Sequence, residues 1–355
     1  MLTKSQIEEV LAEQGQPAYR AQQVLDWIYQ KRARSWDDMS NLPAALRTAL
    51  ADAYPLRPLK HCLTKGSSDT TRKFLLELPD GRYVETVLIP ASPALYGEKS
   101  DRHTLCVSSQ VGCAYGCKFC ASGLDGFTRN LTPAEIVSQI IMAEELSGEK
   151  VNNLVFMGMG EPLANFRNLS SALEMITADW GLNIGARRIT VSTSGLVPQI
   201  KKLAELPQQI RLAISLHGPD DVTRDRIMPV NRKYPVDELF GALRVWNSRK
   251  NQKITLEYIL IEGVNSDPGH AVTLAKRASS IKAKINLIPY NTVEGLEWSR
   301  PGDRACRAFQ KVLTSAGVPA TLRLEKGHDI DAACGQLRLK KERGDTLEEP
   351  ATGLS

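Results

Sequence analysis

An α/β fold, its parallel sheet closed or partly closed into a barrel, is predicted by three observations. Beyond Asp101, strand-like and helix-like stretches alternate as six βα units. The 355 residues are too many for one ordinary core unless the fold is a large α/β barrel. Five strand-like stretches run into small or polar groups, "SSQVGC", "GMGEP", "STSG", "SLH" and "PYN". In a βα barrel such ends converge on one face, where the active site lies.

The first fifty-odd residues precede that pattern and are helical. "TKSQIEEVLAEQ" and "RAQQVLDWIYQKRA" space apolar residues three and four apart, "AALRTALADAY" adds a short helix, and Pro55 and Pro58 end the run. The period then shortens. "RKFLLELPDGRYVETVLIP" holds two strand-like runs around Asp80-Gly81, a hairpin signal. The stretch "ASPALYGEKSD" is a linker. It divides an N-terminal helical domain with its hairpin (residues 1–92) from the barrel core (residues 99–337).

Core strands are expected in "HTLCVSS", "NNLVFMG", "RRITVSTS", "IRLAISLH", "KITLEYILI" and "AKINLIPY", with "ATLRLE" after the last helix. Helical spacing fills the intervals, from "TPAEIVSQIIMAEELSG" to "DRACRAFQKVLTSAG". The charged tail, residues 338–355, is expected to be disordered.

Composition sets outer limits. Hydrophobic residues at 42% and charged residues at 24% suit a soluble globular chain. No apolar run is long enough to span a bilayer. The start "MLTKSQIEEV" carries acids and has no apolar h-region, so a secretory signal is not expected. A cytoplasmic monomer without membrane attachment is the expectation. The net charge of +5 permits an anionic partner without demanding one.

The seven cysteines, Cys62, Cys106, Cys113, Cys117, Cys120, Cys306 and Cys334, are odd in number and unevenly spaced, which argues against a disulfide framework. Cys62 and Cys306 stand apart as small hydrophobes. "VGCAYGCKFCASG" gathers Cys113, Cys117 and Cys120 as C-x3-C-x2-C. Three thiolates on a loop after a strand suit three irons of a 4Fe–4S cube and leave the fourth iron open. A zinc site is the alternative, with Cys106 as fourth ligand.

Together "CVSSQVGCAYGCKFC", "GMGEPLAN", "STSG", "AISLHGP", "INLIPYN" and "GHDIDAACGQL" resemble the RlmN/Cfr family of radical S-adenosylmethionine (SAM) enzymes, over nearly the whole chain. The resemblance implies a partial (βα)6 barrel, one 4Fe–4S cluster on Cys113, Cys117 and Cys120, and SAM on its open iron. It implies methylation of adenosine C2 in 23S rRNA and in tRNA, 3′ of the anticodon, with two SAM consumed per methyl. A C8 methyltransferase is the alternative within the family. A zinc-binding RNA-associated protein without radical chemistry is the alternative outside it.

Residue roles follow from the same resemblance. Gly160, Glu161, Ser192, Ser215, Leu216, His217 and Asn291 match SAM contacts, and their carboxylate, hydroxyl, imidazole and amide groups suit an ammonium, a ribose and an adenine. Phe119 would shield the cluster, although packing accounts for it equally. Cys334 matches a methyl carrier that becomes S-methylcysteine. Cys106 matches the resolving thiol that releases the RNA by forming a transient disulfide with Cys334. Glu85 matches the proton acceptor. Alternation sets it on a strand face with Tyr83, Val87 and Ile89, where an apolar setting would raise its pKa. The implied electron donor is flavodoxin or ferredoxin. Candidate RNA contacts are "YQKRARSW", "DDVTRDRIMPVNRKY" and "RLKKER".

Overall fold

The computed structural model describes residues 3–67, 70–91, 101–123, 126–291, 298–323 and 336–342. Its N-terminal helices are α1 (Lys4–Glu13), α2 (Tyr19–Leu25, continuing as a wider turn to Gln30) and α3 (Ala44–Ala53). Thr3 opens α1 with a reciprocal cap to Gln6. Ile7, Leu11, Val24, Leu46 and Leu50 face inward and pack in the same continuous core as the barrel. Ion pairs Arg32–Glu144 (2.6 Å) and Arg57–Glu145 (2.8 Å) tie this region to α4 (Pro133–Ser147).

A three-stranded antiparallel meander follows: β1 (Lys60–Gly66), β2 (Arg72–Glu77) and β3 (Tyr83–Pro90). The expected hairpin is present, with Gly81 at φ +77° in its turn. β1 was not anticipated, because "KHCLTKG" alternates weakly and is mostly exposed.

The parallel strands are β4 (His103–Cys106), β7 (Asn153–Phe156), β8 (Ile189–Thr193), β9 (Arg211–Ser215), β10 (Ile254–Leu260), β11 (Ala283–Pro289) and β12 (Ala320–Leu322). A separate ribbon pairs β5 (Gln110–Gly112) with β6 (Phe127–Asn130). The meander and the parallel strands form one ten-stranded sheet in the order β1-β2-β3-β4-β7-β8-β9-β10-β11-β12. The helices α4, α5 (Phe166–Thr177), α6 (Val197–Glu205), α7 (Asp221–Ile227), α8 (Val236–Lys250), α9 (Pro268–Ser279) and α10 (Asp303–Ser315) alternate with those strands. Thr132, Pro133 and Glu135 start α4, and Gly148 at φ +72° stops it.

Register divides the strand residues into two faces. Leu154, Val191, Leu212, Leu256, Tyr258 and Leu287 are fully buried on the outer, helix-covered face. Tyr258 packs on Phe309 of α10 there. The inner face is polar. Thr104 pairs with Asn153, Ser192 with Ala213, Ser215 with Glu257 and Glu257 with Asn286. β3 joins β4 through Val87↔Cys106, so Glu85 shares this inner face with Cys106.

Two expectations need correction. The tail expected to lack structure from Arg338 continues as α11 (Gln336–Glu342), in which Arg338 pairs with Glu342. Leu337 of α11 packs with Leu63 and Leu75 beside Tyr83, an apolar anchor invisible in a run of charges. The face around Glu85 is also not apolar. Glu85 Oε2 lies 2.9 Å from Lys73 Nζ, both side chains fully buried, and Oε1 accepts the Arg338 N–H at 2.6 Å. No helix among the described residues is long and apolar enough to cross a membrane.

Removing one partner of a buried pair strands the other charge, at a cost of about 3–5 kcal/mol. Lys73→Met is therefore expected to lower the urea unfolding midpoint sharply. An unchanged midpoint would show that Glu85 does not depend on the ammonium.

Candidate active site

The site is built where the parallel strands end. After β4 the chain enters Ser108-Ser109-Gln110, all buried. Ser108 Oγ donates to the Glu85 carbonyl at 2.6 Å and accepts the Met159 N–H at 3.0 Å, joining β3 to the ends of β4 and β7. Gln139 of α4 brackets Ser108, accepting its N–H (2.9 Å) and donating to its carbonyl (3.0 Å).

Glycine is required where the β7 loop meets β5. Gly160 has φ +95°, and a Cβ there would sit 2.4 Å from Gln110 Cβ. Gln110 Oε1 accepts the Glu161 N–H at 2.8 Å. The buried Glu161 carboxylate accepts from Leu163 N–H (3.0 Å) and Ser194 N–H (2.7 Å), which links the β7 and β8 ends. Burial raises its pKa, against the pull of those two amides.

The three loop cysteines are partly buried beside this carboxylate. Burial pushes the Cys113 thiol up to about 12, opposed by a bond from the Tyr115 backbone. Cys117 is raised further, first by burial and then by the charges of Cys120, Cys113 and Glu161, with Arg224 opposing. Lys118 N–H bonds the Ile227 carbonyl at 2.9 Å and moors the loop to α7. Among the described residues no set of three Cys, His, Asp or Glu side chains is placed to hold a metal ion. Crowded thiols whose ionisation burial opposes, as at Cys113 and Cys117, would become thiolates only against a strong local positive charge. That donor set fits an iron–sulfur cube, whose irons draw one thiolate apiece.

Arg224 is fully buried under the site. Its Nε donates to the Leu216 carbonyl at 3.0 Å, Nη1 to Asn231 Oδ1 at 2.9 Å, and Nη2 to the Ser194 carbonyl. Burial lowers its pKa to about 10, which still leaves it charged at neutral pH. Sequence reasoning treated this arginine as part of a solvent-facing RNA loop. Asp220 caps α7 instead, accepting the Thr223 N–H at 2.8 Å. Gln110 and Arg224 carried no signal that separates them from other polar loop residues.

His217 adopts a left-handed backbone, φ +55°. Its Nδ1 accepts the Ile259 N–H at 3.0 Å, which leaves Nε2 to carry the proton. Phe119 meets the imidazole edge-on, ring centroids 4.7 Å apart, so it packs on a site residue as well as lying between two loop cysteines. Burial lowers the His217 pKa from 6.5 to about 3, with Arg224 adding to the shift. Leu216 is buried and contributes main chain, its N–H bonding the Glu257 carbonyl at 3.0 Å. Ser192 and Ser215 stand on the inner face. Asn291 is exposed just past β11 and has no described contact with them. Cys106 is buried on β4. Cys334 lies outside the described residues. Glu257, which sequence reasoning passed over, is a buried inner-face carboxylate bonded by Asn286 at 3.0 Å.

Comparison with known proteins bears on this geometry. The Radical SAM superfamily profile matches residues 107–275, and the Ribosomal RNA large subunit methyltransferase N-terminal domain profile matches residues 1–55. The chain is 57% identical to a probable dual-specificity RNA methyltransferase RlmN of Akkermansia muciniphila, over 96% of this chain and 95% of that one. The chain belongs to the RlmN family. A Bacillus cereus relative of the same name is 43% identical over 96% of this chain and 93% of its own. A radical SAM methyltransferase structure from Sphaerobacter thermophilus superposes with TM-score 0.88 at 43% identity, covering 94% of this chain and 97% of that one. The radical SAM fold, read from strand alternation and the cysteine loop, stands. Family membership implies a 4Fe–4S cluster and SAM.

Gly160→Ala would force Gln110 aside and displace Glu161. SAM affinity, measured by equilibrium dialysis, is expected to fall at least tenfold, about 1.4 kcal/mol. A second outcome concerns acid. A histidine whose folded pKa is depressed contributes stability fully above its ordinary 6.5, and loses it as pH falls from 6.5 toward about 3. His217→Gln is expected to flatten the fall of the metal-free protein's unfolding midpoint across that window.

Proposed function

We propose that this protein methylates C2 of adenosine in 23S rRNA and in tRNA, at the adenosine 3′ of the anticodon, using a cysteine-bound methyl as carrier. The carrying observation is that Cys106 and Glu85 share the inner face, while α11 is bonded to Glu85 through Arg338. Cys334 stands four positions before Arg338 in the chain. β12 and α11 lie toward opposite ends of the sheet order, and residues 324–335, which include Cys334, join them.

Cys113, Cys117 and Cys120 would hold the cluster, and SAM would lie along Gly160, Glu161, Ser192, Ser215, Leu216, His217 and Asn291. Cluster and SAM together supply a one-electron route to a carbon radical, which an electron-poor ring carbon accepts where a polar displacement fails. The chain's residues do the rest. The neutral His217 offers an N–H donor, and Glu161 offers the second lone pairs of its carboxylate oxygens. The Cys334 thiol carries the methyl and becomes linked to the base through its carbon. Glu85 takes the proton from the ring carbon, with Lys73 beside it to steady the carboxylate. The Cys106 thiolate then attacks the Cys334 sulfur: the sulfur–methylene bond breaks, its electron pair and a proton complete the methyl group on the departing base, and a Cys106–Cys334 disulfide remains. An external dithiol restores both thiols. Flavodoxin or ferredoxin is the proposed electron source, and the adenosine must leave its stack to enter.

Nucleoside mass spectrometry of ribosomal and transfer RNA from a deletion strain is expected to show 2-methyladenosine missing from both. A missing 8-methyladenosine would overturn the regiochemistry. Cys106→Ala is expected to accumulate a covalent protein–RNA adduct on denaturing gels; normal turnover would remove its resolving role.

A further inference from the structure

Arg224 is a fully buried cation with no carboxylate beside it. Its Nε and Nη2 bond the carbonyls of Leu216 and Ser194, and Nη2 lies 3.5 Å from the carbonyl of Ser215. Its Nη1 bonds the Asn231 amide oxygen, and the amide nitrogen of Asn231 donates to Asp221 at 2.9 Å and to Asp225 at 2.8 Å. Both carboxylates are thus held one side chain away. Among the described residues every partner of the guanidinium is a neutral oxygen. Its hydrogen bonds are satisfied, but its charge meets no anion. A buried charge in that condition is costly unless negative charge faces it from elsewhere.

The cysteine loop is what faces it. Lys118, next to Cys117, bonds the Ile227 carbonyl one turn past Arg224 in α7. Phe119, the following residue, packs on His217, and the neighbouring Leu216 carbonyl accepts from Arg224. The loop therefore runs from α7 to the turn after β9, and Arg224 joins the same two elements. Two glycines let the arginine pack this closely. A Cβ at Gly195, after β8, would lie 3.2 Å from Arg224 Nη2, and one at Gly218, after β9, would lie 3.0 Å from Arg224 Cβ. The charges agree with the geometry: after burial, Cys117 acts on Arg224 ahead of Asp221 and Asp225.

An iron–sulfur cluster becomes more negative when it is reduced, and its potential follows net charge, hydrogen bonding and exposure. A fixed cation in a dry wall beside it favours the reduced form, with little screening by salt. We propose that Arg224 is a positioning residue with two effects: its fork clamps the turns after β8 and β9, and its charge makes a cluster on Cys113, Cys117 and Cys120 easier to reduce. The inference rests on the reading of those cysteines as cluster ligands. One electron passes from an external reductant to the cluster. Arg224 keeps its proton throughout, and no bond to it forms or breaks.

The test is a dithionite titration of cluster-loaded protein, oxygen-free and without SAM, followed by electron paramagnetic resonance. In Arg224→Gln the one-electron equilibrium is expected to fall at least tenfold, about 59 mV. Arg224→Lys keeps a cation and loses the fork. Its equilibrium is expected to stay within about threefold of the parent, while SAM affinity by equilibrium dialysis falls about tenfold. Should Arg224→Gln fold poorly, Asp225→Asn still offers Asn231 an acceptor oxygen and removes a negative charge. That change is expected to raise the equilibrium about threefold. A loaded Arg224→Gln protein with the parental potential overturns the inference, and so does Asp225→Asn with the parental potential. An Arg224→Lys potential as low as that of Arg224→Gln would overturn the role of the charge, since lost geometry would then account for both. A parent that assembles no cluster from iron and sulfide overturns the cysteine reading together with this inference. A reducible parent with unmoved variants overturns this inference alone.

Discussion

The antiparallel pairing of β3 with β4 is the constraint on which the site depends. Val87 opposite Cys106 fixes which residues of the meander share a face with the barrel interior. A slip of one residue would turn Glu85 and Lys73 to the other side and leave a buried ion pair among outer-face leucines. Thr86 and Ser108 reinforce the register with buried bonds across the junction, both 2.6 Å. The meander therefore shares the inner face of the barrel, even though it lies on the N-terminal side of the barrel sequence.

A second constraint is dielectric. Thiols, a carboxylate, an imidazole and a guanidinium meet where water is excluded, and burial is the largest cause of shift for Cys113, Cys117, Glu161, His217 and Arg224. The effects have different consequences. They keep His217 neutral, hold the thiols protonated until a cationic group arrives, and leave Arg224 charged. Arg224 satisfies three main-chain or amide oxygens from its buried position, which is what allows a charge to sit there.

The inner face also changes character along its length. Its upper end carries Cys106, Ser192, Ser215 and the turn at His217, and its lower end carries cations. The outer face is mainly apolar because helices cover it. Polarity is thus sorted by face and then by height along the strands.

Much of this was legible in the sequence. The βα alternation, the Asp80-Gly81 turn and the C-x3-C-x2-C loop are local patterns, and local patterns survive in one dimension because backbone preferences act over a few residues. The placement of Glu85 with Tyr83 and Val87 followed from alternation alone. Its neighbour Lys73 did not, since only strand pairing says which residue lies across from another. Arg224 and the helix α11 were misjudged for a related reason: a charged residue looks solvated until the fold supplies carbonyls or a leucine contact to bury it. The sequence by itself determined the βα order of the barrel, the Asp80-Gly81 turn and the spacing of the three loop cysteines. Tertiary structure alone decided which charges meet, because only strand pairing sets Lys73 beside Glu85 and only folding delivers the Arg338 N–H to the same carboxylate.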